Sequence, residues 1–233
     1  MGDERPPESP DGAVVKFPVL LVMLGAPGAG KGTQAREIAN WLCVPHISTG
    51  EMLRDAVERG TVTGKRVRAI MESGALVPDD LVCTIVEQRL SQPDCERGFI
   101  LDGFPRSVHQ ALFLDGLLKS THRGSVRVVN IRVDRDSVLK RLTGRRMCPK
   151  CGAIYNIYFN PPRRDSVCDL DGSSLVQRGD DTEEAVGTRL REYERQTKPL
   201  IERYRHMGAL RAVDGNADPK TVREAIVRVL KAS

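Results

Sequence analysis

The feature that most constrains the fold is a short apolar run that leads into a glycine-rich loop and then into a helical pattern. Residues 17–25 read FPVLLVMLG, residues 25–33 read GAPGAGKGT, and residues 34–43 read QAREIANWLC. Within the last segment, Ala35, Ile38, Ala39 and Leu42 recur at helical spacing. Strand, glycine loop and helix in this order are typical of a P-loop, in which backbone N–H groups and a helix N-terminus converge on an anion.

The loop itself contains four glycines and one lysine. Glycines let backbone N–H groups approach phosphate oxygens where a Cβ atom would intrude. Lys31 supplies a mobile cation for the outer phosphates. Gly32 occupies the position where many P-loops carry a Mg²⁺-binding Ser or Thr, and Thr33 follows one position later. The alternative is a glycine-rich turn that binds no ligand.

The rest of the chain alternates between short apolar runs and amphipathic helical stretches. The further strand-like runs are VPHIS, GFILD, VRVVNIRV and ALRAVD. This alternation predicts an α/β fold of the P-loop three-layer type, with a parallel five-stranded sheet covered by helices.

Several helix boundaries are marked by capping signals. Asp181 with Glu184, and Ser107 with Gln110, have the spacing of a capping box. Asp218 precedes a proline at the first position of a predicted helix. Pro199 is expected to break or kink the long segment Thr182–Met207.

The termini and the charge exclude several classes of protein. Residues 1–16 are Pro-rich and lack the features of a secretion signal, so we expect a disordered tail on a cytoplasmic protein. No apolar run approaches the ~20 residues of a membrane span. The net charge is +5, and Arg127–Arg146 alone contains seven basic and two acidic residues. A cluster this local suits a compact polyanion or a solvated helix face better than nucleic acid.

The six cysteines fall into two groups. Cys43, Cys83 and Cys95 are scattered through apolar contexts and are predicted to be buried or semi-buried. Cys148, Cys151, Cys168 and Asp171 lie close together in the sequence and could complete a tetrahedral zinc shell of three thiolates and one carboxylate, the alternative being free thiols.

One further acidic residue is a candidate ligand for Mg²⁺. In GFILDGFPRS, Asp102 ends a predicted strand, and Arg106 follows close to the same edge of the sheet. A carboxylate at that edge can hold Mg²⁺, although Asp-Gly is also a common turn.

These motifs together resemble the adenylate kinase family in its long-lid, zinc-binding form. The resemblance runs from about residue 17 to the end and rests on GAPGAGKGTQ, STGEMLR, DGFPRS with Gln110, RLTGRR, FNPP and DDTEEAVGTRL. It implies a P-loop core at residues 17–146 and 178–233, a helical AMP-binding insertion at 48–77 and a small zinc-stapled lid at 147–177.

The resemblance also implies site residues for the two nucleotides. The residues that match ATP-binding positions are Gly28, Ala29, Gly30, Lys31, Gly32, Thr33, Arg145, Ile154, Tyr155 and Ala217. Those that match AMP-binding positions are Thr49, Arg54, Met71, Ala75, Leu76, Val77, Gly103, Phe104, Pro105, Arg106, Gln110, Arg178 and Arg189. The simpler interpretations are that Gln110 only completes a capping box and that Arg189 only pairs with Glu192 or Glu194.

The reaction that the resemblance implies is ATP + AMP = 2 ADP, with Mg²⁺ bound to ATP. The residues expected to act on the transferred group are Lys31, Asp102, Arg106, Arg141, Arg145, Arg178 and Arg189. Phosphoryl transfer needs positioning and charge neutralisation more than covalent help, so no general base is demanded. The zinc is expected to be structural, and the protein a monomer without nucleic-acid or membrane partners.

Three other functions remain open from the sequence. The nearest are related kinases that use GTP as donor or UMP and CMP as acceptors. A P-loop, zinc-ribbon NTPase that binds nucleic acid is disfavoured by an aromatic content of 4%. A nucleotide sensor without activity is disfavoured because Lys31, Asp102 and the arginines are all present.

Overall fold

A computed structural model describes residues 18–231, so the predicted tail at residues 1–16 lies outside the described residues. Its centre is a parallel five-stranded sheet in the order β2-β3-β1-β4-β7. The strands are β1 (Val19–Leu24), β2 (His46–Ser48), β3 (Gly98–Asp102), β4 (Arg127–Arg132) and β7 (Leu210–Asp214). The predicted α/β class and the parallel five-stranded sheet are confirmed.

The central strands β1, β3 and β4 are buried on both faces of the sheet, which explains why they read as nearly continuous apolar runs. Along β1, Leu20, Val22 and Leu24 pack into one apolar core, whereas Val19, Leu21 and Met23 pack into the other. The two neighbours of β1 are β3 and β4. The carboxyl end of β1 is therefore a point where the chain turns to opposite sides of the sheet, and ligands bind at such points in open α/β sheets.

Helices cover both faces of this sheet. Their bounds are α1 (Lys31–Leu42), α2 (Thr49–Glu58), α3 (Val62–Glu72), α4 (Asp79–Leu90), α5 (Val108–Ser120), α6 (Arg135–Thr143), α7 (Glu183–Glu192), α8 (Pro199–His206) and α9 (Pro219–Lys231). Single 3₁₀ turns form at Pro93–Cys95 and Gly179–Asp181. No helix within residues 18–231 combines the length and the apolarity that a membrane crossing requires.

Two predicted caps are present and one is wrong. The Ser107 hydroxyl accepts from the N–H of Gln110, and the Asp218 carboxylate accepts from the N–H groups of Lys220 and Thr221. The cap of α7 is Thr182, whose hydroxyl accepts from the N–H of Ala185, and not Asp181 as its spacing predicts. Asp181 is instead fully buried, because its carboxylate is bound by arginines of the site described below.

Helices α2 and α3 form a tight hairpin within the region predicted to be an insertion. An added Cβ on Gly64 would lie 1.9 Å from the carbonyl oxygen of Ala56, so only glycine allows the two helices to approach so closely. This hairpin leads from the end of β2 to the segment before α4.

The second region that interrupts the alternation forms a small sheet of its own. Strand β5 (Arg145–Met147) pairs antiparallel with β6 (Ile154–Asn156). The cluster Cys148, Tyr155, Cys168 and Leu175 is its only buried apolar core among the described residues. A core of four side chains is too small to hold such a unit without a further source of stability.

The long helical segment before β7 is interrupted as predicted. Residues Tyr193–Thr197 form a turn of π-helix between α7 and α8, and Pro199 is the first residue of α8. A π-helical turn inside a helix is frequently found beside a functional site.

One cysteine prediction is wrong. Cys83 and Cys95 are buried, as expected, but Cys43 is exposed. Residue 43 adopts a left-handed conformation with φ 52° just after α1, where the chain leaves the helix whose apolar face is buried, and its side chain is exposed.

Candidate active site

The glycine-rich loop connects β1 to α1 at the carboxyl edge of the sheet. Gly28 and Gly30 have φ values of 78° and 90°, which side chains rarely adopt. An added Cβ on Gly28 would also lie 2.9 Å from Cγ of Leu142. The loop can therefore take this shape only with glycine at both positions.

Lys31 begins α1 and folds back over the loop. Its ammonium group donates hydrogen bonds of 2.9 Å to the carbonyl oxygens of Gly25 and Ala26. Burial lowers the pKa of Lys31 to about 8, and the neighbouring arginines add to this effect, although Asp102 opposes it. In the free protein the positive charge of Lys31 is therefore disfavoured, and a bound anion would stabilise it.

Asp102 ends β3, directly beside the glycine loop. Burial opposes ionisation of this carboxylate, but the imidazole of His46 at 3.7 Å and the ammonium of Lys31 keep the pKa of Asp102 below its usual value. An added Cβ on Gly32 would lie 3.1 Å from Oδ2 of Asp102, so the glycine after Lys31 leaves the carboxylate accessible. An ionised carboxylate facing a phosphate-binding loop is suited to holding Mg²⁺.

A cavity of about 530 Å³, the large cavity, opens beside this loop. All ten residues predicted from the resemblance to bind ATP line it, namely Gly28–Thr33, Arg145, Ile154, Tyr155 and Ala217. Its walls also carry six cationic side chains besides that of Arg145: Lys31, Arg54, Arg106, Arg141, Arg178 and Arg189. The cavity is suited to a polyanion with a base or another flat group at one end.

A second and smaller space, the small cavity, lies between the α2–α3 hairpin and α5. The predicted AMP-binding residues that line it are Thr49, Arg54, Met71, Ala75, Leu76, Val77, Gly103, Arg106, Gln110 and Arg189. Three predicted residues do not: Phe104 is buried in the core beside the site, Pro105 lines a neighbouring pocket, and Arg178 lines the large cavity. Arg54, Arg106 and Arg189 line both cavities.

Arg106 is anchored where the two cavities meet. Its Nε donates to the carbonyl oxygen of Gly103 at 2.8 Å, and Thr197 of the π-helical turn donates to the carbonyl oxygen of Arg106 at 2.8 Å. Burial, with the charge of nearby Arg189, lowers the pKa of Arg106 to about 10. Arg106 is therefore a positioned cation whose charge is disfavoured by its surroundings.

Two further arginines are held by consecutive aspartates. Arg145 makes a bidentate ion pair with Asp181, with contacts of 2.7 and 2.5 Å. Arg189 contacts the carboxylates of both Asp180 and Asp181, at 3.1 and 3.0 Å. The simpler interpretation of Arg189 does not hold, since Glu192 pairs with Arg195 and Glu194 with Lys198.

The remaining arginines are less well satisfied. Within the part of the chain that the structure describes, the buried Nε of Arg178 has no hydrogen-bond partner. Burial lowers the pKa of Arg178 to about 9. Arg141 donates to the carbonyl oxygen of Gly215 at 2.9 Å and lies 6.0 Å from the ring centroid of Phe159. Both face the large cavity, which thus presents under-compensated positive charge.

The four candidate zinc ligands are brought together in the small β5–β6 unit. The ligand atoms of Cys148, Cys151, Cys168 and Asp171 all lie within 4.8 Å of one another. The sulfurs of Cys151 and Cys168 are 3.6 Å apart, and a tetrahedral zinc with bonds of ~2.3 Å places its sulfurs about 3.8 Å apart. The donor set and its spacing therefore fit zinc.

Groups around the cluster would support a bound metal. The hydroxyl of Tyr155 lies 3.6 Å from the sulfur of Cys168, and the N–H of Cys151 points at the sulfur of Cys148 at 3.4 Å. Oδ1 of Asp171 accepts from the N–H of Ser173 at 2.9 Å. Such outer contacts orient ligands around structural metals.

The β5–β6 unit also touches the core across the large cavity. Arg36 of α1 donates to the carbonyl oxygen of Gly152 at 3.1 Å and pairs with Glu51 of α2 at the same distance. This side chain links the loop helix, the hairpin and the small sheet around one opening.

Sequence reasoning missed several of these residues. Asp79, Asp180 and Asp181 contact predicted site residues, and His46 lies beside Asp102. Only the paired aspartates Asp180 and Asp181 carried a local signal, because they lie two and three residues after Arg178 and precede a helix.

Comparisons with known proteins agree with this geometry. A sequence model described as adenylate kinase matches residues 23–209. The chain is 51% identical to an adenylate kinase of Moorella thermoacetica over 210 residues, which cover 90% of this chain and 97% of that protein. It is 49% identical to an adenylate kinase of Archaeoglobus fulgidus over 211 residues, 91% of this chain and 97% of that one. The chain therefore belongs to the adenylate kinase family of phosphotransferases, which convert ATP and AMP reversibly into two ADP.

Proposed function

We propose that this chain holds ATP in the large cavity and AMP in the small cavity and transfers the terminal phosphoryl group between them. The observation that carries the proposal is the position of Arg54, Arg106 and Arg189, which line both cavities. A group transferred from one cavity to the other would pass beside these three guanidinium groups.

The chemistry of the step follows from charge. Both nucleotides are anions, and the transferred phosphoryl group spreads negative charge over its oxygens in the transition state. Lys31 and the arginines would bind this charge in a partly buried site, where such interactions are stronger than in water. The attacking atom is an AMP phosphate oxygen, which is already ionised at neutral pH because the second pKa of a phosphate ester is near 6. No side chain has to remove a proton.

Mg²⁺ enters with ATP in adenylate kinases. In this chain Asp102 is the residue that would hold it, directly or through water, at the carboxyl end of β3. When bound, the ion neutralises part of the charge on the phosphates of ATP. His46 would keep the Asp102 carboxylate in place at 3.7 Å, and Gly32 leaves space between that carboxylate and the loop.

Asp180 and Asp181 would prepare the arginines for the nucleotides. They hold Arg145 and Arg189 at fixed positions through ion pairs at 2.5–3.1 Å. Arg178 would then find its missing partner in a phosphate oxygen. Pre-positioned charge costs no reorganisation when the transition state forms.

We also propose that residues 147–177 are a zinc-stapled lid and residues 48–77 the AMP-binding insertion, attached to a core formed by residues 17–146 and 178–233. The proposal is supported by the ligand geometry of Cys148, Cys151, Cys168 and Asp171. Four protein ligands leave no open position for substrate, so the metal would be structural. The lid would exclude water, which competes with AMP as acceptor.

The same geometry supports two coarser proposals. A single chain supplies Lys31, Asp102 and the arginines that line the two cavities, so a monomer would be sufficient for activity. Three reduced thiolates are needed for the zinc site, which favours the cytoplasm over an oxidising compartment.

A coupled assay tests the proposed substrates. With Mg²⁺ and ATP, we expect AMP to yield ADP with a kcat/KM at least about a hundredfold above that with CMP or UMP, because Gln110 faces the small cavity with an amide edge suited to adenine. GTP in place of ATP measures donor selectivity in the same assay. Comparable rates with CMP or UMP would assign the chain to a related nucleoside monophosphate kinase instead.

The lowered pKa of Lys31 predicts that ATP binding takes up a proton. A bound phosphate favours the charged lysine and raises its pKa, so the complex holds more protons than the free enzyme above pH 8. At pH 9 roughly nine in ten free molecules would carry a neutral Lys31, so uptake should approach one proton, whereas at pH 7 it should be small. Isothermal titration calorimetry in buffers of different ionisation enthalpy measures this quantity.

The matched control for this experiment is Lys31→Arg. Arginine stays charged throughout this range, so its uptake at pH 9 should be close to zero. Equal proton uptake by the variant and the wild-type enzyme would show that another group is responsible.

A further inference from the structure

The side-chain amide of Gln110 is held from two sides. Its Oε1 accepts from the backbone N–H of Arg106 at 2.8 Å, and its Nε2 donates to Oδ1 of Asp79 at 2.6 Å. Gln110 is 2% exposed and Asp79 is the first residue of α4, so the contact joins α4 to α5 through two residues that lie 31 positions apart in the sequence. The amide is thus fixed between α4 and the start of α5.

The chemistry of the two partners fixes which end of the amide is which. A carboxylate can only accept a hydrogen bond, so the atom that faces Asp79 must be the nitrogen. A backbone N–H can only donate, so the atom that faces Arg106 must be the oxygen. Rotating the amide by 180° would place its N–H groups against the N–H of Arg106 and its oxygen against the carboxylate of Asp79. These buried groups would then have no hydrogen-bond partner.

The carboxylate of Asp79 is itself held in place. Its Oδ2 accepts from the hydroxyl of Ser107 at 2.5 Å, and that hydroxyl accepts from the N–H of Gln110 at 3.1 Å. The imidazole of His109 lies 3.6 Å from the same oxygen at the exposed side. Asp79, Ser107 and Gln110 therefore form a closed ring of hydrogen bonds, which has little freedom to rearrange.

We propose that Asp79 is a positioning residue that sets base specificity at the small cavity by fixing the orientation of the Gln110 amide. The inference rests on the proposed function, in which Gln110 reads the adenine of AMP. After its two fixed bonds, the amide retains one lone pair on Oε1 and one N–H on Nε2.

The remaining groups match one kind of purine edge. Adenine offers a donor at its 6-amino group and an acceptor at N1, which complement an amide oxygen and an amide N–H. Hypoxanthine offers an acceptor at O6 and a donor at N1–H. Its acceptor would therefore face the amide oxygen and its donor would face the amide N–H, so neither hydrogen bond could form. A freely rotating amide could turn to suit either base, whereas one held by Asp79 cannot.

The test compares Asp79→Ala with Asp80→Ala. Asp80 is the next residue in the first turn of α4 and is exposed, so its variant removes the same charge from the same helix end without touching Gln110. The measured quantity is the ratio of kcat/KM for AMP to kcat/KM for inosine monophosphate. We expect Asp79→Ala to reduce this ratio by about tenfold, mainly through KM for AMP, and Asp80→Ala to leave it within about twofold.

The double variant Asp79→Ala/Gln110→Ala separates positioning from other roles. If Asp79 acts through Gln110, adding Asp79→Ala to Gln110→Ala should change the ratio no further. KM for ATP and kcat at saturating AMP should change little in Asp79→Ala. In the wild-type enzyme, NMR should show one Nε2 proton of Gln110 shifted downfield and protected from exchange, a result that needs no folded variant.

Two results would overturn the inference while leaving the proposed function intact. One is a ratio in Asp79→Ala within twofold of wild type when Gln110→Ala has lost selectivity. The other is a full additional effect of Asp79→Ala in the Gln110→Ala background. If Gln110→Ala itself leaves the ratio and KM for AMP unchanged, then the reading of adenine by Gln110 is wrong, and the inference falls with it.

Discussion

Removing the zinc of the proposed lid with a chelator should lower the melting temperature by about 5–10 °C while Mg²⁺-dependent activity survives at low temperature. A domain of this size loses about 2–4 °C for each kcal/mol, and only a few kcal/mol of metal-binding free energy need be lost. Thermal unfolding followed by circular dichroism, with the coupled assay at 10 °C, measures both quantities. Metal analysis should give one zinc per chain before treatment.

The physical reason lies in the small apolar core of the proposed lid. Its buried cluster consists of Cys148, Tyr155, Cys168 and Leu175, two of which are candidate zinc ligands. Phe159 and Leu170 are exposed there, at 56% and 76%, so they add little apolar stabilisation. A metal that binds only the folded form of this unit stabilises it, and this adds to the small contribution of the apolar contacts.

Matched cysteine variants control for general effects of thiol loss. Cys151→Ser should reproduce the fall in melting temperature and abolish zinc binding, whereas the exposed Cys43→Ser should do neither. The structural assignment would be refuted by prompt and complete loss of turnover on chelation with the melting temperature unchanged, because a catalytic metal behaves in that way.

Replacing Arg106 by methionine should lower kcat about a thousandfold. Arg106 lies where the two cavities meet, and a single guanidinium group that neutralises a transferring phosphoryl group is worth about that factor or more. Methionine has similar bulk but no charge. Steady-state ADP formation at saturating ATP and AMP measures the loss.

The same substitution should not destabilise the free protein. The pKa of Arg106 is lowered to about 10 by burial and by Arg189, which means that the fold disfavours its charge in the absence of nucleotides. The melting temperature of Arg106→Met should therefore equal or exceed that of wild type. Arg66→Met, on an exposed part of α3, should alter neither quantity. A large fall in the melting temperature of Arg106→Met would assign its lost activity to misfolding.

Strands were predictable because their signal is continuous and local. The runs GFILD and VRVVNIRV became β3 and β4, with bounds Gly98–Asp102 and Arg127–Arg132. In a parallel sheet covered on both faces the central strands are buried along most of their length, so apolar runs and turn residues mark their bounds without knowledge of the rest of the fold.

The cap of α7 shows where local signals fail. Asp180, Asp181 and Thr182 are consecutive polar residues, and any of them could cap the helix. Arg145 decides between them, because its bidentate contact takes the Asp181 carboxylate into the interior and leaves the cap to Thr182. Arg145 lies 36 positions before Asp181, so helix-capping rules, which consider only neighbouring residues, cannot predict that Thr182 is the cap.

The site residues also divide into those that a local sequence signal reveals and those whose contacts depend on the fold. The glycine loop and Lys31 were recognisable from spacing alone, since the loop is one continuous segment. The contacts of Asp79 with Gln110, and of His46 with Asp102, join residues from different strands and helices. Such contacts depend on how the elements pack, so they emerge only when the fold is known.

We propose that positive charge at the junction of the two cavities allows two anionic nucleotides to react. The most direct test is the single-turnover rate of ADP formation with both nucleotides bound, for wild type, Arg106→Lys and Arg106→Met. We expect this role of the charge to give a loss of about a thousandfold for methionine and a smaller loss for lysine, which keeps the charge but not the planar fork. A rate for Arg106→Met within about threefold of wild type would contradict it.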